Sequence, residues 1–403
     1  MSTSFLYHVF GVRGYLYRRT EYRGGEAFVH IEQKPGTCRC AACGSRNVVG
    51  AGKVVRQFRA LPVGRKPVWI VFPVPRVECR SCGRTRQVTI GFADPRRSYT
   101  KAFARYVLDL SRCMTLKDVA MHLRISWDLV KDIQKEHLRR RFGKPKLHRL
   151  RRIAIDEISV AKGHRYLTVV LDLDRGQVVY VGEGKGADAL LDLWKWLGRR
   201  PRIEAVAMDM SPAYITAVTE RLPRATLVFD RFHVMKLFND KLSNLRRALY
   251  HQLTDSLQKE VLKGVRWLLL KRPENLDETR NERQRLEEAL KLNAPLATAY
   301  YLKEDLAELW EQEDQEAAQA HLMDWILRAE ASGIQVLKSF AKTLRLYAWQ
   351  ILAYYDYPIT TGPLEGTNNK IKTMKRQAYG FRDTEFFKLK ILGIHETTYA
   401  LVG

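Results

Sequence analysis

Three regimes of hydrophobic patterning follow one another along the chain. Up to about residue 95 the apolar positions come in short β-branched and aromatic runs, at 5–12, 27–31, 48–58 and 68–74. Such runs predict strands, the later ones broken by Pro62, Pro67, Pro73 and Pro75. From Ser98 the period becomes helical. Phe103, Val107 and Leu110 share one face of a helix over 98–111, for which Ser98 is the expected N-cap. A second short helix over 115–123 starts at Thr115, and after Arg124-Ile125 a third runs over 126–138 from Ser126. Ala120 suits the close approach of these last two helices, with Leu129, Val130 and Ile133 turned inward. Helix, tight turn, capped helix is the helix-turn-helix pattern.

The third regime alternates strand and helix. Strands are predicted over 152–159, 164–174 and 177–183, the last two joined by the turn Asp174-Arg-Gly176, then a helix over 186–197. A fourth strand over 203–209 follows, a helix opened by Ser211-Pro212, and a fifth strand over 225–230. Three antiparallel strands, a helix and two strand-helix steps are the element order of a ribonuclease H-like sheet, in which the first and fourth strands are neighbours. Residues 236–355 read as helix, with breaks at 275–277 and 293–295 and with Trp267, Trp310, Trp325 and Trp349 on apolar faces, most of them expected to be core. A final helix starts at Gly362-Pro363. The expected fold is multidomain α+β: an N-terminal zinc-binding module over 1–95, a helix-turn-helix over 96–143, and a ribonuclease H-like α/β catalytic core over 151–236 and 356–403. An all-helical insertion over 237–355 interrupts that core.

Charge adds a partner. The 403 residues carry a formal net charge of +25. Residues 1–152 hold 33 Lys and Arg against 10 Asp and Glu, whereas the remainder holds 36 against 34. An excess confined to one part of the chain points to a polyanion held by that part, hence to nucleic acid. No run of about 18 uncharged apolar residues occurs, so no membrane span is expected. The first residues lack the basic and apolar regions of a signal peptide, which places the chain in the cytoplasm.

Five of the six cysteines fall between Cys38 and Cys82. Cys40-Ala-Ala-Cys43-Gly44 and Cys79-Arg-Ser-Cys82-Gly83 are two knuckles whose four thiolates suit one tetrahedral, structural Zn2+, with Cys38 as an alternative to Cys40. On the third helix of the second regime, Trp127, Asp128, Lys131 and Lys135 face outward toward DNA, and the basic run Arg139-Arg140-Arg141 extends that surface. The basic stretch 144–152 reads as a linker laid along phosphates.

The remaining chemistry is acidic. Asp156 ends the apolar run Ile153-Ala-Ile, and Asp209 ends the fourth strand. On adjacent strands two such carboxylates repel unless a divalent cation separates them, and hard oxygen ligands suit two Mg2+ (or Mn2+) ions of the kind that act on phosphodiesters. Glu157 alternates to the opposite face and is not taken as a ligand. Late in the chain, Gly362-Pro-Leu-Glu365-Gly-Thr-Asn-Asn-Lys-Ile-Lys372 puts a carboxylate in the first turn of a helix, followed by Asn368, Asn369, Lys370 and Lys372 for phosphates.

Asp156, Asp209 and Glu365 resemble the acidic triad of DDE transposases. Together with the double CxxC, the helix-turn-helix and Asp230-Arg-Phe-His233, they resemble the ISL3 family of bacterial insertion-sequence transposases over nearly the whole chain. The resemblance implies catalytic and metal-binding roles for Asp156, Asp209 and Glu365. It also implies double-stranded DNA partners, both the inverted-repeat ends of the element and target DNA, with water-driven cleavage and joining of the freed 3′-hydroxyls. Pairing two ends implies a homo-oligomer, at least a dimer on DNA. Asp230 and His233 match a short C/D-x-x-H motif with an accessory role, orienting DNA or the carboxylates, although His233 equally fits a core histidine. Two other readings use the same residues: a zinc and helix-turn-helix regulator with an inactive core, and a nuclease or resolvase without joining activity.

Overall fold

The computed structural model describes residues 5–144, 147–161, 165–198 and 202–395. His164 and parts of the 144–152 linker and of 356–403 therefore lie outside the described residues. The chain divides into two compact units, residues 1–144 with 373–403, and residues 145–372.

The first unit begins with a helix, Phe5–Phe10, where the apolar run over 5–12 suggested a strand. Leu6 and Phe10 lie one turn apart and are both buried. Gly11, at φ +67°, closes the helix by donating its N–H to the Tyr7 carbonyl, a backbone geometry that favours glycine. Five strands follow: β1 (Tyr15–Arg23), β2 (Glu26–Gln33), β3 (Val48–Val63), β4 (Lys66–Cys79) and β5 (Thr85–Gln87). They form one sheet in the order β1-β2-β4-β3, with β5 also paired to β4. The prolines do not break β3 and β4. Pro67, Pro73 and Pro75 fall outside the segment Val68–Val71 where β4 has β2 on its other side, and outside Arg76–Glu78 where it has β5. Pro62 sits in the register shift between Ala60 and Val63. A residue without an N–H is tolerated at such one-sided and irregular positions.

The first helix of the next group is Lys101–Leu110, capped by Thr100 rather than Ser98. Ser98 is engaged elsewhere: its carbonyl accepts the N–H of Arg59 on β3 at 2.8 Å, and Tyr99 bridges to the same strand. Thr115 and Ser126 cap helices Leu116–Leu123 and Trp127–Phe142 as their positions suggested, and Arg124 takes the left-handed conformation between them. The second of these helices runs one turn past Leu138, because Leu138 and Phe142 pack with Phe386, Leu389 and Leu392 of helix Thr384–Leu392.

In the second unit β6 (Arg152–Ala161), β7 (Arg165–Asp172) and β8 (Gln177–Glu183) form an antiparallel meander. Helix Leu191–Leu197 is preceded by a 3-10 turn at Ala187–Leu190. β9 (Ala205–Met208), helix Pro212–Arg221 and β10 (Thr226–Phe229) complete a sheet of order β10-β9-β6-β7-β8, with β9 parallel to both β6 and β10. Ile153 and Ile155 of β6, Val206 and Met208 of β9 and Phe229 of β10 join one core with the helices that follow, from Arg231–Gln252 to Ala348–Leu352. Trp310 and Trp325 are buried in that block, but Trp267 and Trp349 are exposed, so only half of the expected tryptophan core forms. Helix Gly362–Gln377 then leaves the second unit and enters the first at Thr373.

Candidate active site and metal centre

The parallel register of β6 on β9 pairs Ile153 with Val206 and Ala154 with Ala207. Continued by one pleat, it sets Asp156 level with Asp209, where β9 has already ended at Met208. Asp209 spends one oxygen on the turn into the next helix, accepting the Ser211 N–H at 3.1 Å. Asp156 Oδ1 accepts the Glu157 N–H at 2.8 Å, and its Oδ2 accepts Nδ2 of Asn368 at 2.8 Å. Burial raises the Asp156 carboxyl above the ordinary aspartate range, and the nearby Asp209 adds to the rise. The positive charge of a nearby His233 opposes it. Glu157 is raised as well, by burial first and then by Asp209 and Asp156. Carboxylates that crowd and lose water in this way favour binding a cation.

Helix Gly362–Gln377 buries Leu364, Thr367, Asn368 and Ile371 and leaves Glu365 exposed, one turn before Asn368. Asn368 is only 4% exposed, and its carbonyl oxygen has no partner among the described residues. It thus faces Asp156, whereas Asn369, Lys370 and Lys372 are exposed. Thr361, which sequence reasoning did not single out, donates its N–H to the buried Asp230, and its own carbonyl accepts the Glu365 N–H at 2.8 Å.

The four predicted cysteines come together. Cys40 and Cys82 sulfurs lie 3.7 Å apart, Cys43 and Cys79 sulfurs 3.6 Å apart, and all four lie within 4.8 Å. Tetrahedral zinc at a Zn–S distance of about 2.3 Å requires sulfurs about 3.8 Å apart. Cys43 and Cys79, 36 positions apart, are brought together by the β3-β4 hairpin, whose register pairs Val48 with Cys79. Gly44 and Gly83, both at positive φ, return their N–H groups to the Cys40 and Cys79 carbonyls at 2.9 and 2.8 Å. The backbone N–H groups of Cys43 and Ala42 hold the Cys40 thiol down at about 6. Cys43 is pushed up to about 11: the Ser45 N–H favours its thiolate, but the facing sulfurs of Cys79 and Cys82 outweigh it. Four thiolates so placed ionise together only around a cation. Cys38 lies outside the cluster, against the apolar core of the β-sheet.

The outward residues of helix Trp127–Phe142 are differently engaged. Trp127 is 53% exposed, and Lys131 lies over its ring at 5.2 Å. Lys135 contacts Asp383 at 2.8 Å and Glu385 at 2.9 Å, and Arg139 contacts Glu385 at 2.7 Å. Arg140 pairs with Glu136 and Asp94.

Comparison with known proteins covers most of the chain. Residues 153–391 match a family model described as transposase, residues 88–138 the helix-turn-helix domain of transposase family ISL3, and residues 36–82 the zinc-finger of transposase IS204/IS1001/IS1096/IS1165. The chain is 34% identical over 388 residues to the transposase for insertion sequence element IS1001 of Bordetella parapertussis, covering 94% of this chain and 95% of that one. It is 31% identical over 378 residues to the transposase for insertion sequence element IS1557 of Mycobacterium tuberculosis, covering 86% and 83%. On the match to 153–391 and the near full-length likeness to these relatives, the chain belongs to the ISL3 family of transposases.

Proposed function

We propose that this chain is a DDE transposase that binds the terminal inverted repeats of its own insertion sequence, cleaves strands there, and joins the freed 3′-hydroxyls to target DNA. The observation that carries the reading is the β6-β9 register that sets Asp156 level with Asp209, together with the Asn368 contact that brings the Glu365 helix to the same place. The sheet order and the position of the helical block support a ribonuclease H-like core with an insertion before Glu365.

The donor set fits hard divalent ions. Asp156, Asp209 and the unpartnered carbonyl oxygen of Asn368 are all oxygen ligands, and Glu365 stands on the same helix as Asn368. Two Mg2+ or Mn2+ ions held there would polarise the scissile phosphate and lower the pKa of the attacking water. The chain's own residues hold the acids in a partly dry setting, keep Asp156 oriented through two hydrogen bonds, and present Asn369, Lys370 and Lys372 to phosphates. Zn2+ on Cys40, Cys43, Cys79 and Cys82 is structural, since four thiolates leave no open position. The zinc module and the helix-turn-helix, with Trp127, Lys131, Lys135, Arg139 and Arg140, supply the DNA-facing side. Two ends handled together call for at least a dimer on DNA. No described helix is long and apolar enough to cross a membrane, and DNA as substrate places the action in the cytoplasm.

The test is a cleavage and strand-transfer assay with labelled end DNA and Mg2+ or Mn2+. The protein should cut and join, while D156A, D209A and E365A each lose both activities and retain DNA binding. Cut ends without joined product would make it a nuclease. Full activity in any of the three variants would remove that residue from the site.

A further inference from the structure

We propose that Asp230 is a positioning residue for Glu365, anchoring the start of the Glu365 helix to the end of β9 and β10, and that it is not a ligand of the catalytic ions. The inference rests on the assignment of Asp156, Asp209 and Glu365 above.

Asp230 directly follows β10 and is 3% exposed. One of its oxygens accepts the Phe232 N–H at 2.6 Å and so caps helix Arg231–Gln252. The other accepts the N–H of Thr361, 131 residues later and itself buried. Each oxygen accepts a backbone donor from a different helix start, so the carboxylate ties the two together, and it sits at the positive end of a helix. The hydrogen bonds of the buried carboxylate thus come from backbone donors at a helix N-terminus, with no basic side chain among them.

The bonds on either side make this anchor part of a continuous path. The Asp230 N–H donates to the carbonyl of Met208, the residue before Asp209, at 3.2 Å. Its side chain takes Thr361, and the Thr361 carbonyl takes the Glu365 N–H. The path thus runs from the backbone beside one candidate ligand to the backbone of another. The Asp230 carbonyl accepts the His233 N–H at 3.0 Å, so His233 rides in that same first turn. This gives the Asp-x-x-His spacing a physical purpose: the aspartate starts the helix on which the histidine rides, and ties that helix to Glu365.

Two substitutions separate the cap from the anchor. D230N keeps one carbonyl oxygen but turns an amide donor toward one of the two N–H groups. D230S keeps a capping oxygen for the helix but is too short to reach Thr361. Both variants should bind end DNA within twofold of wild type and cleave it 10- to 100-fold more slowly in single turnover. Amide hydrogen exchange should rise over 360–366 and stay unchanged over β6. D230C should show no preferential recovery with Mn2+ over Mg2+. Wild-type cleavage by D230S and D230N would overturn the proposal. So would manganese-selective recovery of D230C, which marks a ligand, or exchange rising throughout the unit, which marks general fold support. D156A and E365A run alongside separate the two levels: if they still cleave, the assignment of the acids fails; if only the Asp230 variants do, the anchor fails.

Discussion

Asn368 donates its side-chain amide to Asp156 across 2.8 Å, joining two residues 212 positions apart in the chain. The contact is polar and buried on the helix side, so it fixes both the phase of the Glu365 helix and the orientation of the Asp156 carboxylate. A DNA contact at Asn368 would be lost as affinity, whereas an orienting contact is lost as rate. N368A is therefore expected to lower end cleavage by at least tenfold, about 1.4 kcal/mol or more of transition-state stabilisation, with the Kd for end DNA unchanged. Filter binding and single-turnover cleavage measure the two separately. A Kd that weakens in step with the rate would return Asn368 to the DNA surface.

The raised carboxyl of Asp156 has a consequence for pH. A carboxylate whose folded pKa lies above its unfolded value costs stability where it is charged, and that cost disappears as the pH falls through the folded value. Protons then compete with the divalent ion for the same oxygens. Cleavage at fixed Mn2+ should fall on the acid side at a higher pH than an ordinary aspartate gives, and more Mn2+ should move that limb to lower pH. In EDTA at neutral pH, D156N should melt above wild type, because it removes the charge that burial disfavours. The hydrogen bonds survive that change, because the Asn368 amide, whose carbonyl has no other partner among the described residues, turns over to accept. An acid limb insensitive to Mn2+ would place the titrating group elsewhere.

The parts of the site that were legible in the sequence depend on local pattern plus topology. Asp156 and Asp209 each end an apolar run, and the strand order alone makes them neighbours. The four cysteines were legible for a similar reason, since each CxxC-Gly closes on itself. What was missed depends on distant chain. Choosing between Asn368 and Asn369 as the inward residue needed the helix phase, which the spacing of Leu364, Ile371 and Met374 carried. Ser98 lost its capping role to Thr100 because β3 claims the Ser98 carbonyl. The engagement of Lys135 and Arg139 by the last helix was not legible, because Asp383 and Glu385 lie 248 and 246 residues later.

The cysteine cluster supplies a test of folding. Cys79 is fully buried at the end of β4 and pairs with Val48 at the mouth of the hairpin, so losing the ion there unfastens β3 from β4. Structural zinc sites couple on the order of 10 kcal/mol of binding to folding. C79S is expected to lose its zinc, measured as one ion per chain in wild type and none in the variant, and to abolish the cooperative melting of the first unit. Substitution of Cys38 by Ser should leave the zinc content unchanged. Loss of zinc on that change, and its retention in C79S, would reassign the ligands.

The acids of helix Thr384–Leu392 and its cap are expected to limit how strongly the helix-turn-helix holds DNA, because they engage its cations. Lys135 touches both Asp383 and Glu385, and the same pair draws both carboxylates below their ordinary range. For Asp383 burial acts against that lowering, and the Lys135 ammonium outweighs it. Arg139 completes the group through Glu385. Two cations engaged in this way are not available to phosphates until the ion pairs open. D383N combined with E385Q removes the competing charge while keeping side chains of the same size, and leaves Lys135 and Arg139 in place. Non-specific duplex affinity is expected to rise about fivefold or more at low salt. The plot of log Kobs against log salt should steepen by about 1–2, since each phosphate neutralised contributes about 0.9. In the wild-type background, substitution of Lys135 by Ala should cost little affinity, but in the double variant it should cost most of the gain. An unchanged salt slope in the double variant would mean that Lys135 and Arg139 serve the packing of helix Thr384–Leu392 and do not reach DNA.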